Sequence, residues 1–142
     1  MLTLQIFHAG QWHDAASLVI PDPARGRNGA AELGYETDYA LSWMGRDDEH
    51  ACSLTLPVEL MLNHRAAHWF GFLEDIMPGG AARRFWVEQL DLSRLTPLEQ
   101  DYSLLSRGCI APVGNLRIKE SLPQIPEGSA LPQMRFYVND VL

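Results

Sequence analysis

Cysteine is scarce in this chain of 142 residues, with Cys52 and Cys109 alone. A disulfide scaffold needs more, so the fold must rest on an apolar core, and the thiols are expected to be reduced, as in a cytoplasmic protein. No apolar run approaches the roughly 18–20 residues of a membrane helix, and no membrane partner is expected. The opening "MLTLQIFHAGQWHD" turns polar too early for a secretory leader. Basic residues are also in deficit: 11 Lys and Arg stand against 18 Asp and Glu, a net charge of −7 and a pI near 5.1. Such a balance repels polyphosphate, and no Lys/Arg run compensates, so no direct nucleic-acid partner is expected. Phosphate-binding loops of the Walker type, nucleophile elbows and internal repeats are missing as well.

Apolar residues make up 46% of the chain. A chain of this length buries roughly two thirds of its unfolded surface, enough for one domain. "LTLQIFHAGQWHDAASLVI" alternates on both sides of "HAGQ" and predicts a β-hairpin over residues 2–20. "PDPARGRNGA", 21–30, reads as a mobile Pro/Gly loop. A short strand ending near Tyr35 precedes a helical turn, and "GRDDEH", 45–50, is a polar loop. "CSLTLPV" reads as a strand stopped by Pro57. Three helices should follow. The first runs from Asn63 to Met77 on an apolar stripe of Ala66, Trp69, Phe70, Leu73, Ile76 and Met77. The second covers about 80–90, with Ala82, Phe85, Trp86 and Leu90 inward. The third opens on "TPLE", a capping box with Thr96 as N-cap, Pro97 at N1 and Glu99 at N3. Its inner face is read as Leu98, Tyr102 and Leu105, and Arg107 and Gly108 close it. "GNLRIKE" alternates as a half-buried strand. The order predicts an α+β fold, a small antiparallel sheet or partial barrel with three helices packed on it. Residues 1–120 form the domain, and 121–142 read as a Pro-rich linker and the start of a further helix.

Candidate chemistry is thin. On the expected helix, His64 and His68 lie four residues apart, a spacing that can clamp a metal. The Glu of the metalloprotease pattern is missing, so surface histidines are the plainer reading and a small metal-binding domain is the alternative of another class. Glu74 and Asp75 are adjacent on a helix and face apart, unsuited as an acid/base pair. Catalytic and cofactor-binding residues are therefore expected to be absent. Four tryptophans are more informative. Trp69 and Trp86 fall on helical stripes, whereas Trp12 and Trp43 sit near loops and strand ends. Tryptophan is enriched at binding surfaces, so these two are candidate anchors, with Arg83 and Arg84 as rim contacts.

Four segments taken in order, "LGYETDYAL", "SLTLPV", "FGFLEDIMPGGAARRFW" and "DYSLLSRGCIAPVGNLRIKE", resemble the N-terminal domain of HipA-like serine/threonine kinases, the toxins of HipBA-type toxin–antitoxin systems. Ser53–Pro57 matches that family's "lSlsLP"-like strand, Phe70–Gly80 its helix ending in Leu-Leu-Pro, Arg83–Trp86 its basic helix start, and Leu104–Ile118 its closing segment. The "GQWHDAA" opening is similar to a YjjJ-like branch. The resemblance covers about residues 1–120. It implies a bacterial, cytoplasmic, non-catalytic module that packs on a kinase core and contributes to contacts with a HipB-like antitoxin or a second copy. The kinase machinery of that family, with its ATP and Mg, would lie C-terminal to this domain, beyond Leu142. An alternative within the same resemblance is a stand-alone inhibitor subunit of a split system.

Overall fold

The computed structural model describes residues 1–53, 55–60, 63–109 and 114–121. Leu2–His8 (β1) and Gln11–Val19 (β2) form the expected hairpin. Its turn residues, Ala9 and Gly10, both have positive φ, 52° and 76°. Two successive left-handed residues give a tight turn whose twist matches the strands it joins. Ala31–Tyr35 (β3) pairs with β2, and Asn63–Ala66 (β4) pairs with β3. Leu116–Ile118 (β5) returns to the far side of β1. The five-stranded sheet has the order β4-β3-β2-β1-β5, and every neighbouring pair is antiparallel.

One face of the sheet builds the core. Leu4, Ile6, Leu18, Leu33 and Ile118 are fully buried there, and the pairs Leu4–Ile118 and Leu18–Leu33 sit directly opposite each other. The other face is a polar ladder. Gln5 Nε2 donates to Asp14 Oδ1 at 2.7 Å, Arg117 Nε donates to Gln5 Oε1 at 2.7 Å, and Lys119 pairs with Asp14 at 3.1 Å. A sheet with one dry and one wet face needs the strict alternation seen in β1 and β5. A β-bulge opposite Leu4 and Gln5 breaks that alternation in β2, and Ala15 and Ala16 are both buried.

Among the described residues, four α-helices accompany the sheet: Thr37–Trp43 (α1), Gly71–Ile76 (α2), Gly80–Gln89 (α3) and Pro97–Arg107 (α4). The architecture is α+β, as the element order predicts. α4 begins on the expected capping box: Glu99 N donates to Thr96 Oγ1, and Thr96 N donates to Glu99 Oε1 at 3.0 Å. Its buried face is Gln100, Asp101, Leu104 and Leu105, whereas Leu98 is exposed and Tyr102 half-buried.

Several local expectations are overturned. The helix predicted over 63–77 is helical only from Gly71 to Ile76. Residues 63–66 instead bond along β3, with His64 opposite Leu33, and so cover a sheet edge whose backbone would otherwise lack partners. α3 forms where expected, but none of its residues is buried, and Phe85 is 41% exposed. It packs on α4, and with no buried residue its helical stripe marks no deep core. Of the strand read in "CSLTLPV", only an isolated Ser53–Leu56 bridge is seen, and Leu54 lies outside the described residues. The linker and final helix also lie outside them, apart from Ser121.

The Pro/Gly segment is no free loop. Pro23–Asn28 forms 3-10 turns laid against α4. Gly26 has φ 56°, and a Cβ there would stand 2.2 Å from the carbonyl oxygen of Leu98. Only glycine meets both demands. Beside it Arg27 donates from its backbone N and its guanidinium to Asp101, each at 3.1 Å. Asp101 is 1% exposed, and its second side is held by Arg83 Nη1 at 3.1 Å. One buried carboxylate thus ties the loop and α3 to α4. Burial alone would push its pKa up, but the bonds from Arg27 and Arg83 outweigh that and hold it below its ordinary value.

Candidate docking site

Trp12 and Trp43, far apart in sequence, come together at the turn end of the hairpin. With His13, Asp38, Tyr39 and Ser42 they line a groove of about 490 Å³ between β2 and α1. The register of the hairpin places Trp12 on the wet face, opposite Phe7, with ring centroids 5.2 Å apart. Arg117 lies over the outer face of Trp12, 4.1 Å from its centroid. Trp43 is the last residue of α1 and is half-buried. Leu41 and Met44, close to it in sequence, are exposed, 62% and 59%. Asp38 on α1 and Asp14 on β2 supply the acidic side. A bond from Gln5, aided by Lys119, keeps the Asp14 carboxyl below its ordinary pKa, so it is charged at neutral pH.

Three histidines back this groove. His8 closes β1 on the core face, and His13 is its diagonal neighbour across the hairpin; their rings stack with centroids 3.9 Å apart at 8°. His50 comes from the loop after α1, is buried, and stacks on Trp43 at 3.9 Å. His8 stands between the two, 4.7 Å from His50 and edge-on to Trp43 at 5.1 Å. Asp48 fixes His50: its Oδ1 lies 2.8 Å from Nδ1 and accepts the His50 backbone N–H at 3.1 Å. These bonds, with Arg46, hold the Asp48 carboxyl far below its usual range. Tyr39 Oη donates to the His50 carbonyl at 2.5 Å. By contrast His8 Nε2 is buried with no hydrogen-bond partner among the described residues. Burial, then the neighbouring His13 and His50, lower the His8 pKa, and Glu49 pulls weakly the other way.

The other candidates fare differently. Arg83 lies away from the tryptophans: its guanidinium is held by Asp101, and by the Pro97 carbonyl at 2.9 Å, and it lines the α3–α4 groove. Arg84 is exposed, but it lines that same groove with Val87, Glu88 and Ser93. His64 sits in β4, half-buried, its ring edge-on to Tyr35, and His68 is exposed in the turn that follows. The helical spacing that would have clamped a metal between them does not exist. Among the described residues no three His, Cys, Asp or Glu side chains group as a metal site. Both cysteines are buried, and burial pushes each thiol up to about 12, which removes them as nucleophiles at neutral pH.

Reading by sequence misses His8 and His13. The signal was present in the two-residue turn at Ala9–Gly10, which fixes the register and so makes residues 8 and 13 diagonal neighbours. His50 joins only through tertiary structure. Among the described residues, no helix is long and apolar enough to cross a membrane. No protein-family model matches the chain, and no curated protein matches it significantly.

Proposed function

We propose that this chain is a non-catalytic docking module, the N-terminal interaction domain of a HipA-like serine/threonine kinase. The single observation that carries the docking reading is the meeting of Trp12 and Trp43 on one exposed groove. Aromatic anchors that are half-buried already lose little entropy on binding and bring large contact area. Asp101 is held between two arginines, and both thiols lie in the core. The family reading is supported by the four segments quoted above and by an α+β fold in which the first meets the second and the third meets the fourth: Tyr35 Oη donates to the Leu56 carbonyl, and Arg83 Nη1 donates to Asp101. On this reading ATP and magnesium bind the kinase core and not this chain, and a HipB-like antitoxin meets the assembled protein in the cytoplasm.

The test is direct binding of the chain to the kinase core of a HipA-like protein from the same genome. Trp43→Ala should weaken binding by about 1–3 kcal/mol, roughly 5- to 150-fold in Kd, with far-UV circular dichroism unchanged. Wild-type binding by a folded Trp43→Ala variant would remove this groove from the interface. The DNA following codon 142 tests the family: a kinase reading frame, in frame or separate, is expected there, and a neighbourhood without one counts against it.

A further inference from the structure

Three imidazoles packed behind the groove form an unusual support for an aromatic anchor. Histidine is the side chain whose charge changes between about pH 5 and 8. Here Trp43 rests on His50, His50 faces His8, and His8 stacks flat on His13. The arrangement disfavours a charge on His8. His8 and His13 are half-buried, and a second positive charge about 4 Å from the first is repelled more there than in open water. Charging His8 also turns Nε2 into a buried donor with no acceptor.

The surrounding charges do not offset this. His8 is faced by His13 from β2, by Tyr39 and Trp43 from α1, and by His50 from the following loop. Glu49 offers a weak attraction, and Asp48 is engaged with His50 and Arg46. Among the described residues, the cluster therefore has a counter-charge on the His50 side and none in hydrogen-bond contact with His8.

We propose that His8, packed between His13 and His50, is an acid-sensitive latch on the Trp12–Trp43 groove: with His8 uncharged the stack holds Trp43 in place, and proton uptake by His8 unstacks it and releases Trp43. The direction follows from linkage. In the closed form the His8 pKa lies below its ordinary 6.5. The open form takes the proton first, so closure is complete above about 6.5 and is lost as pH falls from there through the lowered value. Closure at neutral pH stands on the geometry alone; its use to release a partner rests on the docking reading.

The experiment follows the indole N–H resonances of Trp12 and Trp43 in the full chain from about pH 8 to about pH 5. Trp43 should shift or broaden with a midpoint below 6.5, while far-UV circular dichroism stays constant. His8→Phe keeps an aromatic ring without a titrating nitrogen and should abolish the transition; His68→Gln should leave it intact. A flat Trp43 resonance, or a transition that survives in His8→Phe, overturns the latch. Should His8→Phe not fold, the wild-type ring protons decide: a His8 midpoint at or above that of exposed His68 overturns it equally. Affinity for the kinase core, compared at about pH 7.5 and 5.5, should fall roughly tenfold, a usual size for coupling between two sites. Binding that is strong and pH-independent overturns the regulatory half. Absence of binding at both pH values sinks the docking reading and leaves the Trp43 transition standing.

Discussion

Replacing Asp101 by Asn probes what ties this fold together. The carboxylate accepts four bonds, three from Arg27 and one from Arg83, all at 3.1 Å. Asparagine keeps the shape but carries no charge, and its amide N–H must face an arginine N–H on one side. Breaking a fully buried ion pair costs about 3–5 kcal/mol. Here the arginines are 38% and 21% exposed and can recruit water, so a loss of about 2–3 kcal/mol is expected. Urea unfolding followed by circular dichroism should show a lower midpoint at unchanged slope. By temperature, the loss corresponds to roughly 5–10 °C for a chain of this size. The pH dependence gives a second check. The Asp101 pKa is held below its ordinary 3.8, so its contribution is complete above that value and fades as pH falls through the lowered one. The gap between wild type and Asp101→Asn should therefore narrow below about pH 4. A loss under about 0.5 kcal/mol at neutral pH would refute the clamp, since surface ion pairs contribute that little.

Two further outcomes are expected. Gly26→Ala should destabilise by several kcal/mol, because a Cβ there meets the Leu98 carbonyl oxygen at 2.2 Å and φ is positive; a near-neutral result in the same urea assay would place the 21–30 segment off α4. Thr96→Ala removes the side-chain cap of α4 and should cost about 1 kcal/mol, recovered in part by Thr96→Ser; equal stability of all three chains would show that the capping box contributes nothing.

The candidate site was partly legible. Trp12 and Trp43 were singled out by position, and the structure unites them in one groove. Arg83 was singled out as a surface contact and is a half-buried partner of Asp101, because whether an arginine faces water depends on which helix lies opposite. The His64 and His68 metal alternative rested on a helix over 63–77, and the structure makes residues 63–66 a strand. Residues 63–66 have the spacing of a helix, yet they pair with β3, some thirty residues earlier in the chain. Local pattern states what a segment would form alone; an open sheet edge supplies backbone partners that can outweigh it.

Signals confined to a few neighbouring residues were enough for the hairpin, the α4 cap and the alternation of β5. Each depends on bonds within one turn or on side chains two apart, so the sequence by itself determines them. The histidine stack, the clamp on Asp101 and the pairing of β4 were decided by tertiary structure alone. Their partners come from two or three distant segments, and the energy that joins them exists only once water has been excluded between those segments.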